Sequence, residues 1–418
     1  MKRQLKLGVI GAGFVANFHL MANTMVPDLE IGGVFALKGA EDFAVKSTAQ
    51  GRMQCQVCRT IRQLVEENDV IAMFAPNYTR VQLMEELVEA VQNNGKQLNG
   101  LICEKPLGRT IAEARRMVEL AKSTESPTAY FENQIHMKAV QKALIQLLRL
   151  QKTAGPFTLV KSNEEHPGPH EPWFWNPTLQ GGGVLSDMAC HSIAQAEYIL
   201  TPWGFLPGFL KPVAVQAETT LLKWGQPKYR AELLERTGVD YTKTPAEDFA
   251  TGIITYRNPS TGGLVKTQFT NSWMFDKQGL RLSTEAMGPG YGFEINSLRS
   301  SLEIFISDAA AQTIGDAEAA LEKSTASRGL LTVQPNEVDL YGYVDEQRDA
   351  LKAFCENHDA LLSWEFGLHI TRLCQAAYMA AEERRTLDLT DPDTTRRLET
   401  YRSAISRGEG HKVLGLVV

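Results

Sequence analysis

The sequence lacks the features that mark several large classes of protein. Six cysteines in 418 residues do not make a disulfide framework, which small secreted domains need because their cores are thin. No apolar run reaches the ~18–20 residues that cross a bilayer. Neither sign of charge dominates. Forty-three basic and 49 acidic side chains leave a net charge of −6, where a nucleic-acid binder would present a basic surface. There is no internal repeat and no low-complexity tract. Disorder is also excluded, because 43% of the residues are apolar and only 22% charged, the balance of a chain that buries a core. At roughly 100–200 residues per domain, the length suggests two or three domains.

Two local features point to nothing further. Cys55 and Cys58 form a C-x-x-C pair. A zinc site needs four ligands, usually from a second such pair or a histidine pair, and none is spaced to supply them. The two read as ordinary thiols and no metal is expected. The basic start, Met1 to Lys6, and the small apolar stretch Leu7 to Ala16 superficially resemble a secretion signal. That stretch is short, broken by glycine and lacks a clean cleavage site. Read as a first strand and its turn, every residue has a role, so a cytoplasmic protein is expected.

What is present is an alternation. Strands are predicted over Leu5–Ile10, Leu29–Leu37, Val70–Phe74 and Leu98–Cys103. Helices are predicted over Phe14–Thr24, Ile61–Asn68, Val81–Asn94 and Thr110–Thr124, the last opened by the capping box Thr110-x-x-Glu113. Strands alternating with helices imply βαβ units and a parallel sheet. After about residue 130 the pattern changes. A long amphipathic helix, Met137–Leu150, precedes a Pro/His/Trp-rich loop from Glu165 to Gly183 and a helix over Asp187–Leu200. Strand-like runs follow at Val213–Leu222, Phe249–Tyr256, Leu264–Trp273, Leu280–Met287 and Leu302–Ile306, with a hairpin connection at Arg257–Gly263. Consecutive strands without helices between them predict a large, mainly antiparallel sheet. Two helices, Val344–Glu356 and Trp364–Arg384, close the chain, and Asp308–Arg328 reads as a surface insertion. The expected fold is therefore an α/β Rossmann domain over 1–130 and an α+β substrate and oligomerisation domain over 131–418. The helices of 344–384 are candidates to pack back on the first domain.

The first strand runs into Gly8-Val-Ile-Gly11-Ala-Gly13-Phe14-Val15-Ala16. A pyrophosphate needs backbone N–H groups at close range and a helix N-terminus aimed at it. Gly11 permits the tight turn, Gly13 lets the backbone approach the phosphates, and Ala16 lets the helix pack close to the strand. The strand–turn–helix context makes this G-x-G-x-x-A a nicotinamide-dinucleotide site. An acid normally ends the second strand and binds the ribose hydroxyls. Here the strand ends Phe35-Ala-Leu-Lys38-Gly. Lys38 could meet the 2′-phosphate of NADP, which tips the reading slightly from NAD to NADP. The alternatives are a solvated lysine, or Glu41 or Asp42 reaching back.

The fourth strand ends in Glu104-Lys105-Pro106, where open α/β sheets bind ligands. About 80 residues on comes Gly181-Gly-Gly-Val-Leu-Ser-Asp187-Met-Ala-Cys-His191. Asp187 and His191 are i and i+4 on a helix and share a face. In order, the motifs are G-x-G-x-x-A, Pro76-Asn77 after the third strand, Glu104-Lys105-Pro106, Asn133-Gln134 before a long helix, and G-G-x-x-x-D-x-x-x-H. This set resembles the glucose–fructose oxidoreductase and inositol dehydrogenase family, Gfo/Idh/MocA, over most of the chain. The resemblance implies a sugar or polyol substrate between a Rossmann and an α+β domain, a homodimer or homotetramer built through the sheet, and Lys105, Asp187 and His191 as the catalytic group. The family often reads Pro-Asn-x-x-His after strand three. This chain has Arg80 in the histidine position, which puts cofactor-side detail in question.

These roles fit the chemistry. Oxidising a secondary alcohol removes the hydroxyl proton as hydride leaves for the nicotinamide. The cofactor supplies the hydride chemistry, and the protein orients the substrate and handles the proton. A histidine such as His191 suits the base role, because its ordinary pKa lies near neutrality. Lys105 would stabilise the alkoxide, and Asp187 would orient the pair or bind substrate. In the loop Glu165-His166-Pro-Gly-Pro-His170-Glu-Pro-Trp173-Phe-Trp175-Asn176, aromatic faces suit the C–H surface of a pyranose and polar groups its hydroxyls. Its competing readings are a tryptophan-anchored structural loop and a metal site from His166, His170, Asp187 and His191. Three functions stay open: a sugar dehydrogenase, a redox glycosidase that oxidises, eliminates and reduces with the same residues, and a non-catalytic NAD(P)-binding regulator.

Overall fold

A computed structural model describes residues 4–51, 53–276, 280–297, 303–306 and 337–415. The proposed insertion, Asp308–Arg328, lies outside them, as does Leu302. The chain divides into two compact units. The first comprises 1–138 and 335–371, the second 139–334 and 372–418. Among the described residues no helix is long and apolar enough to cross a membrane.

The first unit is built on six parallel strands: β1 (Leu5–Ile10), β2 (Leu29–Phe35), β3 (Gln56–Val57), β4 (Val70–Met73), β5 (Gly100–Glu104) and β6 (Thr128–Phe131). Their order is β3-β2-β1-β4-β5-β6, the doubly wound arrangement that reverses direction at β1/β4 and opens a crevice at the strands' carboxyl ends. All four residues of β4 and all five of β5 are buried, as expected of strands covered on both faces. Helices α1 (Phe14–Asn23), α2 (Ala40–Gln50), α3 (Ile61–Glu67), α4 (Arg80–Asn94) and α5 (Ile111–Ser123) alternate with them. Thr110 caps α5 by accepting the Glu113 N–H at 3.2 Å. The core around β1, β2 and β4 also takes Val344, Ala350, Ala353 and Phe354 of the helix Tyr343–Cys355. This late segment is therefore part of the first unit.

The second unit opens with α6 (Lys138–Thr153), whose first residue still belongs to the first unit. Its sheet has eight strands: β7 (Leu159–Glu165), β8 (Lys211–Thr220), β9 (Phe249–Arg257), β10 (Leu264–Ser272), β11 (Arg281–Gly288), β12 (Tyr291–Asn296), β13 (Glu303–Ile306) and β14 (Leu387–Asp388). The order is β13-β12-β11-β7-β10-β9-β8-β14. Every pairing is antiparallel except β7 with β10. The Arg257–Gly263 connection is a hairpin, closed by the Asn258 N–H on the Gly263 carbonyl at 2.9 Å. Helix α7 (Cys190–Leu200) packs on β7 and β10 and is buried along nearly its whole length.

Candidate active site

The dinucleotide turn has the form its glycines require. Gly11 adopts φ +106°, and a Cβ there would stand 2.8 Å from the backbone of Phe74 and Ala75. Its glycine is needed by the fold itself. At Gly13 a Cβ would meet nothing within 4 Å, so space is left above the turn. Gly13 opens α1 with no side-chain cap, and the first turn of the helix carries no acid. The first N–H groups of a helix have no partner within the helix, and its positive dipole end suits an anion. Ala16 is fully buried, Val15 half-buried and Phe14 exposed. These residues fit a dinucleotide pyrophosphate. Lys38 is exposed beyond β2, and Asp42 is paired with Lys46 at 2.6 Å.

The Glu104-Lys105-Pro106 turn is gripped from two sides. Arg80 opens α4 and is 4% exposed. Its guanidinium donates to the Ala75 carbonyl at 2.9 Å, to the Glu104 and Pro106 carbonyls, and to that of Lys105 at 3.4 Å. The planar fork of arginine suits this convergence of carbonyls, and the departure seen at Arg80 becomes a clamp on the turn. On the other side the buried Glu104 carboxylate accepts from His19 Nε2 at 2.7 Å and from the Lys105 N–H at 3.0 Å. His19 is stacked on Phe74, 4.2 Å between ring centres, and its carbonyl accepts from Gln347 Nε2 at 2.9 Å. Burial would raise the Glu104 carboxyl, but His19, Lys105 and Arg80 hold it below the ordinary range. Its carboxylate thus anchors the turn. Lys105 is half-buried at the end of β5. Pro76 and the buried Asn77 end β4's loop, where the Pro76 carbonyl accepts from Thr79 Oγ1 at 2.8 Å.

His19, Glu104 and Glu346 are the one trio among the described residues with metal-ligand donor types within 4.8 Å of one another. Burial, then Glu104, Glu132 and Asp349, push the Glu346 carboxyl well above its ordinary range. His19 is already bonded to Glu104 at 2.7 Å.

In the second unit, Asp187 and His191 are 5% and 6% exposed. They do not lie on a uniform α-helix as expected. Leu185–Ala189 is a π-turn that runs directly into α7, a feature frequent at functional sites. Asp187 Oδ2 accepts from the Trp273 indole N–H at 3.3 Å and stands 3.8 Å from His166 Nε2. His166 Nδ1 accepts the Gly168 N–H at 2.9 Å, which turns Nε2 toward Asp187. The structure thus brings His166 and Asp187 together, with His191 on the adjoining turn.

The remaining expected site residues separate. His170 is exposed, and Trp173 is half-buried and stacked on Phe174 at 3.8 Å. Trp175 is fully buried. Its indole donates to the Pro169 carbonyl at 3.0 Å, and its ring packs against Trp224 and Trp273 with Arg236 over it. Trp175 therefore anchors the loop and presents no face to a sugar. Asn133, in the first unit, donates from Nδ2 to the Tyr341 carbonyl at 2.8 Å. His19, Glu247, Trp273 and Tyr378 escaped the sequence reading because no local motif carries them.

Family models agree with this architecture. Residues 5–130 match the oxidoreductase family with an NAD-binding Rossmann fold, and residues 143–288 match the GFO/IDH/MocA C-terminal domain. The chain belongs to the Gfo/Idh/MocA oxidoreductases. Levoglucosan dehydrogenase of Pseudarthrobacter phenanthrenivorans is 24% identical over 225 residues, 47% of this chain and 52% of that protein. An uncharacterised oxidoreductase of Bacillus subtilis, YrbE, is 23% identical over 48% of this chain and 55% of its own. The chain thus spans about half the length of the curated relatives it matches. Among solved structures, levoglucosan dehydrogenase with NADH and L-sorbose superposes with a TM-score of 0.67 at 18% identity, covering 93% of this chain and 99% of that one. GenD2 from gentamicin A biosynthesis, in complex with NAD, superposes with 0.66 at 18% identity, over 93% and 97%. At these identities the likeness is one of fold.

Proposed function

We propose that this Gfo/Idh/MocA protein is an NAD(P)-dependent dehydrogenase acting on a secondary hydroxyl of a sugar, polyol or glycoside. The observation that carries the reading is the Asp187 carboxylate, held between the Trp273 indole and the His166 imidazole one turn before His191. A buried carboxylate with polar neighbours is suited to hydroxyl recognition. Relatives named for levoglucosan support the substrate class.

A bound nicotinamide cofactor would supply the hydride acceptor. Gly11, Gly13 and the N-terminus of α1 would hold its pyrophosphate, with Phe14, Val15, Pro76 and Asn77 beside it and Lys38 near the adenosine ribose. His191 takes the hydroxyl proton as general base, Lys105 stabilises the developing alkoxide, and Asp187 orients the reacting hydroxyl. In the reverse direction His191 returns the proton. His166, His170 and Trp173 would line the substrate side.

The test is a panel of levoglucosan, myo-inositol, free hexoses and p-nitrophenyl glycosides, each with NAD and with NADP. Stoichiometric reduced cofactor with an unconjugated sugar supports a dehydrogenase. Release of nitrophenol without net reduction identifies the glycosidase reading instead. Cofactor binding without turnover of any of these would contradict both.

A further inference from the structure

The triple glycine precedes a helix whose first N–H groups have no partners within the helix. In this structure two residues, distant in sequence, take them. Gly183 donates to both Glu247 carboxylate oxygens at 3.0 Å and to Tyr378 Oη at 3.2 Å. Val184 donates to the Glu247 carbonyl at 3.1 Å. Leu185 donates to Glu247 Oε1 at 3.0 Å and Ser186 to Tyr378 Oη at 3.2 Å. Tyr378 in turn donates to Glu247 Oε1 at 2.6 Å. Four consecutive donors are thus captured by two completely buried residues. Glu247 lies just before β9, and Tyr378 on the helix Trp364–Glu383.

The glycines are explained by the same contacts. A Cβ on Gly182 would lie 1.9 Å from Tyr378 Oη, and one on Gly183 would lie 2.1 Å from the Glu247 carbonyl. Only residues without a Cβ let Glu247 and Tyr378 press against this backbone. The next residue, Asp248, caps a separate turn by accepting the Leu222 and Trp224 N–H groups at 2.7 Å. Its backbone carbonyl accepts the Trp273 N–H at 2.8 Å. One dipeptide therefore fixes both the turn that carries Asp187 and the backbone of Trp273, whose indole bonds Asp187.

We propose that Glu247 and Tyr378 are positioning residues which hold the Gly181–Ala189 turn in the conformation that sets Asp187 against Trp273 and His166. Neither touches substrate. They act through the helix start, where a carboxylate also meets the positive end of the helix dipole. The proposal rests on the functional reading only in taking Asp187 and His191 as the reacting groups.

The experiment uses the full chain with Tyr378→Phe, Glu247→Leu and, as the conservative variant, Glu247→Gln, which keeps the Oε1 acceptor. Backbone hydrogen exchange reads the Gly183–Ser186 amides, and NADH binding is measured alongside. Tyr378→Phe and Glu247→Leu should speed exchange at these amides by roughly tenfold or more, with NADH affinity and exchange in 4–130 unchanged. Glu247→Gln should restore protection. With any sugar the wild type oxidises, kcat should fall about tenfold or more in the first two variants and recover in the third. Unchanged exchange at Gly183–Ser186 in Tyr378→Phe would overturn the proposal. So would accelerated exchange spread evenly over the second unit, which marks a merely structural role. A wild type inert on every sugar counts against the dehydrogenase reading alone, and the exchange data still decide this one.

Discussion

Replacing Arg80 with methionine keeps much of the side chain's length and apolar stem but removes every donor. The wild-type guanidinium serves the carbonyls of Ala75, Glu104, Lys105 and Pro106 from a site 4% exposed to solvent. Water has little access to replace it. A buried acceptor left without its partner costs about 1–3 kcal/mol, and one of the four bonds is long. With three carbonyls affected and partial relaxation, the expected loss is about 3–5 kcal/mol. For a domain of this size each kcal/mol lowers the melting temperature by about 2–4 °C, so the first unit's transition should fall by roughly 10 °C. Differential scanning calorimetry of wild type and Arg80→Met measures it. Arg80→Lys keeps the charge without the planar fork and should lie between the two. Because the clamp holds the Lys105 turn, kcat should fall in the same order. An Arg80→Met protein that melts within about 2 °C of wild type would refute the clamp.

Other consequences are independent of that one. Gly13→Val should fold normally, because a Cβ there meets nothing within 4 Å, yet lose NADH binding measured by fluorescence; retained affinity would contradict the pyrophosphate site. Lys38→Asp should weaken NADP roughly ten- to a hundredfold, the worth of one charged contact, with a smaller change for NAD; equal changes would make Lys38 a surface charge only. Burial pushes the Cys55 and Cys58 thiols up to about 11, so at neutral pH dithionitrobenzoate should modify the exposed Cys355 and spare that pair. Burial also pushes Glu247 from its ordinary 4.5 up to about 7, against the bonds from Tyr378, Leu185 and Gly183. The folded chain then keeps a proton that the unfolded chain has released. This contribution is full below about pH 4.5 and is lost as the pH rises to 7, roughly 3 kcal/mol in all. Denaturant titrations of wild type should show that decline relative to Glu247→Gln, which has no proton to lose; parallel curves would contradict it.

The parallel strands were legible because strands covered on both faces read as unbroken apolar runs. Val70–Met73 is of this kind, and Leu5–Ile10 is interrupted only by the exposed Lys6 and by Gly8. Helix α2 was missed because its buried residues, Ala40, Phe43, Ala44 and Ser47, are mostly small or polar and leave no visible apolar stripe. Strand β7 shows no strand pattern in the sequence for a related reason. Of its three inward residues, Val160, Ser162 and Glu164, two are polar. Ser162 donates to Gln195 at 3.2 Å, and the Glu164 carbonyl accepts from Asn271 at 3.3 Å, so burial without hydrophobicity hid the alternation. Strands β6 and β12 are short and went unread. The motifs single out Gly11, Lys105, Asp187 and His191 as candidates, but not what holds them. Trp173 and Trp175 look equivalent in sequence, and only burial separates them. The π-turn depends on residues about 60 and 190 positions away, beyond any local pattern.

The central claim is that His191 handles the proton in the oxidation of a sugar hydroxyl. The most direct measurement compares wild type with His191→Asn, using the panel sugar that gives the fastest cofactor reduction. Asparagine keeps approximate size and hydrogen bonding but cannot take up the proton. General bases contribute about 10²–10⁴-fold in rate, so kcat should fall by that factor while NADH affinity stays unchanged. A His191→Asn enzyme that reduces cofactor at the wild-type rate would contradict the account.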